Sequence, residues 1–430
     1  MQKKMNIVIV GLGTIGSYFY NYLKKNKHIL YNKTNTMPNI LYVSAKSLKK
    51  KRSFSFPKKI WLKDYLSATK MKNVDIIIEL VGGAEGVAKK LVFEALKNKK
   101  HVVTANKALV AKYGDQLSKI AERNNVNFEF EAAVCGGIPI IRCIKEGLIA
   151  NNIKKIYGIL NGTSNYILSS MDLNKLEYND ALTKAKKLGY AESNPDSDIN
   201  GDDVASKLKI LAALAFNSYI NNQSILIEGI RNIDQNDINN ANQLGFKIKL
   251  VGVAEFKNNK IIQRVHPSLI NQNSYIGKIN GVLNAVIIES DPVGKSVLQG
   301  EGAGPGPTTS SLISDLCSIL RGNIKFPFVL SDKKRKLATF ENINNKKFSV
   351  YLRLDVKDKH GILSDITKVM AKNKVSVKRL IQNPTLNKKN ASIIIITHEA
   401  KSSSFTKVVS ALKVKKYTIN TPKIIRIENI

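Results

Sequence analysis

Asn6-Ile-Val-Ile-Val10 forms a continuous, mainly apolar run, the pattern of a strand buried on both faces of a parallel sheet. A helix over Ser17–Lys24 follows, then a second strand closing at Ile40–Ala45. Val74–Val81 reads as a third buried strand, residues 84–97 as a helix, and His101–Lys107 as a short strand ending in a polar turn. Strands alternating with helices predict an open parallel sheet. Further on, Val204, Leu208, Leu211 and Ala215 make the apolar stripe of a helix. Asp203 and Lys207, four apart, share a face beside that stripe. Beyond Gly229 come a polar helix and alternating strands, including Val265–Leu269, where His266 is a strand residue and not a ligand. A helix is expected over Thr309–Leu320 with Thr308 as its N-cap. Phe348–Val356 then alternates like a half-buried strand. Helix Ile362–Lys372, strands Val375–Ile381 and Ser392–Thr397, helix Phe405–Leu412 and strand Ile424–Ile427 complete a β-α-β-β-α-β order, which is ferredoxin-like.

Composition sets bounds on this picture. A chain of 430 residues, 43% hydrophobic, has length for about three domains. Its net charge of +35 invites a nucleic-acid partner, but ten of the 68 basic residues are Arg and the lysines spread along the whole chain. Arg does most base-edge recognition, so neither nucleic acid nor a functional basic surface is expected. No apolar run approaches the ~18 residues of a membrane span. Lys3 and Lys4 precede an apolar run, but glycines interrupt it and no cleavage site follows, which argues against a signal peptide. Three scattered cysteines without CxxC spacing imply a reducing compartment, hence the cytoplasm, and no zinc site.

The chemistry concentrates in a few stretches. Gly11-Leu-Gly13-Thr14-Ile15-Gly16 lies between strand and helix, where glycines permit a tight turn, approach of a pyrophosphate and helix packing. The acidic residue that usually binds the ribose is missing, because no Asp or Glu precedes Asp64. Lys46, Lys49, Lys50, Lys51 and Arg52 follow the second strand instead. A carboxylate there repels a 2′-phosphate, so NADP(H) is expected ahead of NAD(H), with Lys46 and Arg52 on the phosphate and Lys50 next. The alternative is a solvated lysine loop. Glu192, Asp196, Asp198 and Asp202 crowd a Gly/Pro/Asn-rich loop ahead of Asp203, which suits a small molecule carrying an amine. For an isolated Asp–Lys pair, the simpler reading is an exposed pair contributing ~0.3–0.5 kcal/mol.

Gly162-Thr163-Ser-Asn-Tyr-Ile-Leu and the stretch Gly189-Tyr-Ala-Glu192 through Asp203 and Lys207 resemble the homoserine dehydrogenases, with Asn194 where that family has Asp. Thr104-Ala-Asn-Lys107, Glu131–Ile141 and Gly300–Thr308 match further motifs of the family, Glu301 departing from the last. The C-terminal pattern resembles an ACT domain, with His360 in place of the usual Pro of its D-K-P-G loop. The resemblance covers essentially the whole chain, in the order of the bacterial type with a C-terminal ACT domain.

It implies an α/β protein: a Rossmann-type domain at 1–130 completed by about 300–325, an α+β substrate and dimerisation domain at 131–300, a linker at 326–347 and a ferredoxin-like ACT domain at 348–430. The implied reaction is reversible reduction of L-aspartate 4-semialdehyde to L-homoserine, on the route to threonine and methionine. Lys207 is then the proton donor, its pKa lowered by burial or by Lys107. Asp203 orients it, and Glu192, Asp203, Thr163 and Asp198 bind substrate. Gly11, Gly13, Thr14, Ile15, Gly16, Lys46, Arg52, Lys107, Gly189 and Gly304 bind the cofactor. Glu131, Val134, Gly136 and Ile138 wrap a monovalent cation, Na+ or K+, though the same segment also reads as a Gly-rich hinge. An amino-acid effector, threonine first, is expected at the ACT domain of a homodimer or higher homo-oligomer, and truncation after about Lys336 is expected to leave an active enzyme. A dehydrogenase of another amino or keto acid and a non-catalytic amino-acid sensor are the rivals. The acidic loop argues against the first and the intact Lys107, Asp203 and Lys207 against the second.

Overall fold

The computed structural model describes residues 3–50, 52, 54–221, 223, 225–384 and 389–430, so Lys51 lies outside the described residues. The chain begins β1 (Lys4–Val10), α1 (Thr14–Thr34), β2 (Met37–Ser44), β3 (Ile76–Glu79), α2 (Val87–Lys97), β4 (His101–Thr104), α3 (Lys107–Arg123) and β5 (Phe128–Glu129). The five strands form a parallel sheet in the order β2-β1-β3-β4-β5. Ile7–Val10, Ile76–Ile78 and Val102–Val103 are buried, as unbroken apolar runs require when helices cover both faces. Helix α1 continues to Thr34, past the expected end at Lys24. Leu23 and Leu30 carry its buried stripe through the polar stretch, and Asn35 closes it in the left-handed conformation, φ 56°.

A second unit follows: β6 (Asn152–Ile159), α4 (Gly162–Leu173), α5 (Tyr178–Lys187), α6 (Asp202–Ala215), α7 (Gln235–Gln243), β7 (Phe246–Lys257), β8 (Lys260–Asn271), β9 (Leu283–Asp291) and β10 (Gly294–Glu301). Helix α8 (Pro305–Leu320) then returns to pack along α1. It starts earlier than expected. Gly304 precedes it and Pro305 occupies its first position, where a missing N–H costs nothing. Thr308 is therefore a buried residue of the first turn and not the N-cap.

The last unit is β11 (Lys347–Lys357), α9 (Ile362–Lys372), β12 (Val377–Pro384), β13 (Asn390–Thr397), α10 (Ser402–Lys413) and β14 (Lys423–Ile427). Its strand order, β14-β11-β13-β12, is the ferredoxin-like one. It does not stand alone. Strand β14 pairs parallel with β8, Arg426 opposite Ser268 and Ile427 opposite Leu269, so one sheet runs β10-β9-β6-β7-β8-β14-β11-β13-β12.

The seam between the two units is sealed by apolar and ionic contacts. Tyr351, Ile394, Ile396 and Ile425 share an apolar cluster with Ile238 and Leu250. Arg353 and Lys423 close on Asp234 and Asp237 at 2.5–3.2 Å. His266 is a buried strand residue with Nε2 3.2 Å from Glu428.

Residues 326–347, expected as a linker, touch the preceding units at a few points and are otherwise exposed or half-buried. Arg335 is buried, donates 2.6 Å to Asp115, and lays its guanidinium 4.3 Å from the Phe328 ring centroid. Thr339–Phe340 pairs beside β8. The seam bears on the expectation of a detachable C-terminal module: a cut after Lys336 would open the β8 edge and leave Arg264 without Glu428 and Asp237 without Arg353 and Lys423. Among the described residues no helix is long and apolar enough to cross a membrane.

Candidate active site

The carboxyl ends of the parallel strands face a cleft of about 530 Å3 shared with the second unit. Glu79 ends β3 fully buried, accepting the N–H groups of Val81 and Gly82 and the Thr104 hydroxyl. That fixes the turn after β4. Asn106 caps α3 by accepting from Leu109 N–H and donates 2.7 Å to Gly83 O. Lys107, the first residue of α3, is thereby aimed into the cleft.

On the opposite wall, Asn161 caps α4, its side-chain oxygen accepting from Ser164 N–H at 2.8 Å. Its Nδ2 donates to Asp203 at 2.9 Å and to Asp198 at 2.8 Å. Asn161 was not singled out from the sequence. Its place just before Gly162-Thr163-Ser164, an N-cap position, was the available signal.

Asp203 and Lys207 are not a solvated pair. Their side chains are 2% and 9% exposed, and Lys207 Nζ lies 2.7 Å from Asp203 Oδ2 and 2.6 Å from Leu160 O. Lys107 Nζ contacts the other carboxylate oxygen. Burial pushes the Asp203 carboxyl up, but the Lys207 and Lys107 ammoniums and the Asn161 amide outweigh it and hold it well below the usual carboxylate range. For Lys207, burial favours the neutral amine, and Asp203 reverses the sign, raising its pKa above the ordinary lysine value. The expectation of a lowered Lys207 pKa is therefore wrong for this structure: the carboxylate is nearer than any effect of Lys107.

The acidic loop divides. Glu192 and Asp198 line the cleft, and so does Glu301. Asp196 instead pairs with Arg231 on the surface at 2.6 Å, and Asp202 is exposed at the start of α6. Glu192 has no ion-pair partner among the described residues. Thr163 donates 2.6 Å to Tyr190 O, tying α4 to that loop. Gly189 and Gly304 lie on the rim, both with positive φ, 75° and 113°.

The glycine turn fits a dinucleotide. A Cβ on Gly11 would come 2.4 Å from Leu80 backbone atoms, and one on Gly16 1.9 Å from Gly11 O, so both are packing glycines. One on Gly13 would meet nothing within 4 Å: it faces an open cradle at the N-terminus of α1. A groove there is lined by Gly13, Thr14, Ser17, Lys50 and Arg52. Ile15, one residue on, is half-buried against the core of that sheet. Arg52 donates to the carbonyls of Ser47, Leu48 and Lys50 and stands 5.9 Å from the Trp61 ring centroid. Lys46 is exposed and outside the residues lining that groove, which leaves Arg52 and Lys50 as the cations placed there.

The segment after β5 turns through Cys135 and Gly136, φ 54° and 28°. Glu131, Val134, Gly136 and Ile138 are buried in it. The Glu131 carboxylate accepts from Ile141 and Arg142 N–H at 2.8 and 2.7 Å, while Gly136 O accepts from the Ser311 hydroxyl. Burial pushes the Glu131 carboxyl up to about 7 and, with Glu129 and Glu131 nearby, raises Asp315 well above its ordinary value. Carbonyl oxygens keep a second lone pair. Carbonyl and carboxylate oxygens are the donor types an alkali cation takes, so the residues of this turn fit such an ion in kind.

A nucleotide cradle at the strand ends, beside a buried Asp203–Lys207 pair that the more exposed Lys107 reaches, is the arrangement of an NAD(P)-dependent oxidoreductase. Comparison makes this specific. The chain matches the family profiles described as homoserine dehydrogenase (residues 139–317), its NAD binding domain (residues 11–131) and the ACT domain (residues 350–415). The homoserine dehydrogenase of Helicobacter pylori is 38% identical, with 100% of each chain covered. The crystal structure of a homoserine dehydrogenase from Thiobacillus denitrificans superposes with a TM-score of 0.92 at 34% identity, covering 99% of this chain and 98% of that one. A hyperthermophilic archaeal homoserine dehydrogenase in complex with NADPH gives 0.60 at 25% identity, covering 73% and 97%. The chain belongs to the homoserine dehydrogenase family.

Proposed function

We propose that this chain interconverts L-aspartate 4-semialdehyde and L-homoserine in the cytoplasm, using NADP(H) ahead of NAD(H), with Lys207 as proton donor. The observation that carries this is Asp203 held between Lys107 and Lys207 inside a cleft rimmed by further carboxylates. The nicotinamide, when bound, supplies the hydride. Everything else falls to the chain. As negative charge develops on the aldehyde oxygen, a positioned ammonium donates its proton. Asp203 keeps Lys207 charged and aimed, and Leu160 O fixes its direction. Both oxygens of Asp203 are already engaged, so Glu192 and Asp198 are the better seats for the substrate's ammonium, with Thr163 shaping the wall. Lys107 sits on the cofactor side.

Gly13 and Thr14 take the pyrophosphate in the turn that Gly11 and Gly16 shape by close packing, with Ile15 between them, and Gly189 and Gly304 close the cleft over the cofactor. Arg52 with Lys50 takes the 2′-phosphate, and Lys46 is a weaker candidate for it. The carbonyls of Glu131, Val134, Gly136 and Ile138 hold Na+ or K+, which steadies the turn beneath the substrate wall. The ACT domain binds an amino-acid effector, threonine first, and the chain works as a homodimer or higher homo-oligomer. The division into domains at 1–130 (completed by about 300–325), 131–300 and 348–430 belongs to the same proposal.

The deciding experiment is oxidation of NADPH on adding L-aspartate 4-semialdehyde. A purified, folded protein that oxidises none, and acts instead on another aldehyde or keto acid, overturns the substrate assignment.

A further inference from the structure

Asn284, the second residue of β9, is 1% exposed and lines the cleft. Neither Oδ1 nor Nδ2 has a nitrogen or oxygen hydrogen-bond partner among the described residues, and the Cys135 thiol beside them is a weak one. Buried polar atoms are nearly always paired, so an amide with no stronger partner, at the wall of a cleft, is a place prepared for something that brings both a donor and an acceptor.

Its position is held from several sides. Across the β9–β10 ladder it faces Gly300. A Cβ on Gly302 would fall 2.0 Å from Nδ2, so glycine alone leaves room for the amide. A Cβ on Gly162 would lie 3.6 Å from Oδ1, which puts the first residue of α4 beside the acceptor. The neighbouring polar group is the buried Cys135 thiol, a weak hydrogen-bonding partner.

The chemistry of the missing partner is restricted. The reacting aldehyde oxygen only accepts, the ammonium is seated at Glu192 and Asp198, and the homoserine hydroxyl offers one atom for two, so none of these meets both amide atoms in one plane. A primary carboxamide offers an acceptor and a donor in one plane, matching an Asn side chain on both bonds. L-Aspartate 4-semialdehyde has none, and the nicotinamide ring has one. Gly302 also begins the turn through Gly304 into α8, the helix packed along α1 of the dinucleotide sheet. Asn284 therefore stands on the wall common to the substrate cleft and the cofactor fold.

We propose that the Asn284 side chain pairs with the carboxamide of the nicotinamide ring, Nδ2–H donating to its oxygen and Oδ1 accepting from its NH2. This rests on the dinucleotide assignment above and goes beyond it, because the pair seats the ring's carboxamide on the wall shared with the substrate cleft.

Asn284→Leu tests it, since Leu has nearly the same shape and removes both polar atoms of the amide. Calorimetry measures binding of NADP+, its 3-acetylpyridine analogue, which lacks the amide NH2, and 2′-phospho-ADP-ribose, which lacks the ring. The expected result is an unchanged or higher melting temperature, NADP+ bound about tenfold more weakly or worse, the acetylpyridine analogue weakened less, and the ring-less ligand unaffected. Equal weakening of all three ligands would mean a packing role and overturn the proposal. So would NADP+ binding unchanged beside a raised KM for the semialdehyde, which would assign the amide to the substrate. Should Asn284→Leu fold poorly, Asn284→Ala gives the same comparison, because it removes the atoms and adds none. Wild-type protein binding none of the three would overturn the dinucleotide assignment itself; wild type binding NADP+ with a variant equally tight would overturn this inference alone.

Discussion

Arg264 and Glu428 meet in a buried two-bond ion pair, Nε to Oε1 at 2.5 Å and Nη2 to Oε2 at 2.8 Å, across the seam between the second unit and the ACT fold. Arg264 is fully buried, and Glu255 supplies its third bond at 2.6 Å. Removing one partner of a buried pair costs about 3–5 kcal/mol, because the other charge is left without compensation. Glu428→Gln should lower stability by roughly that order, read by denaturant unfolding, and truncation after Lys336 should give insoluble or inactive protein. Burial pushes Glu428 up, but Arg264 and His266 hold its pKa depressed. Its contribution is therefore complete above the ordinary carboxylate range near 4.3 and fades as pH falls below it. A soluble, fully active truncated protein would refute the packed seam.

Lys207→Ala should lower kcat by about 10²–10⁴-fold, the usual worth of a positioned acid, with NADPH affinity nearly unchanged. Single-turnover rates alongside cofactor titration separate the two. Near wild-type turnover would remove Lys207 from the chemistry.

Asp203→Asn addresses the charge on that lysine. With Asp203 present, Lys207 stays protonated beyond its ordinary pKa of ~10.4, so reduction should hold up on the alkaline side. Without the carboxylate, burial and Lys107 drive the ammonium toward the neutral form. The alkaline limb of the kcat profile should then move to lower pH, together with a fall in kcat. A limb that stays in place would mean another group donates the proton.

Cofactor preference should rest on Arg52 and Lys50. Replacing both with Ala should cut the NADPH-to-NADH ratio of kcat/KM by tenfold or more, about the 1.5–3 kcal/mol carried by hydrogen bonds to a charged group. Lys46→Ala should change it little, given its place outside the groove. A ratio governed by Lys46 would return the phosphate to that side of the loop.

The cation assignment has a pH signature. Folded Glu131 titrates near 7 against an ordinary 4.5, so it takes up a proton on folding within that window and its contribution to stability falls as pH rises through it. A bound Na+ or K+ favours the carboxylate. Its stabilising effect on melting, relative to a bulky organic cation, should be larger above pH 7 than below. Equal effects on both sides would argue against an ion at this turn.

Much of this was legible in the chain because local pattern and final environment agree. Ile7–Val10 and Ile76–Ile78 are buried strands that read as such, and the acidic loop leading to Asp203 and Lys207 announced its cleft. What escaped depends on distant partners. The sign of the Lys207 shift follows from how closely Asp203 sits under burial, which spacing alone does not give. Asn161 and Asn284 are ordinary polar letters until the fold brings Asp198 and Asp203 to one and Gly302 to the other. Residues 326–347 look like a tether because their charges are dense, yet Arg335 finds Asp115 and Phe328 from far along the chain.

The parallel pairing of Ser268 and Leu269 with Arg426 and Ile427 has a practical side. Anyone transplanting this ACT fold onto another catalytic body inherits a two-residue weld with a carboxylate, Glu428, already committed beneath it. The recipient must offer an open strand edge in the same direction, with a cation at the place of Arg264 and room for residues 326–347. In this chain the exchangeable part is a length of sheet together with the strand it leans on, and a cut made at the profile boundary would sever it mid-joint.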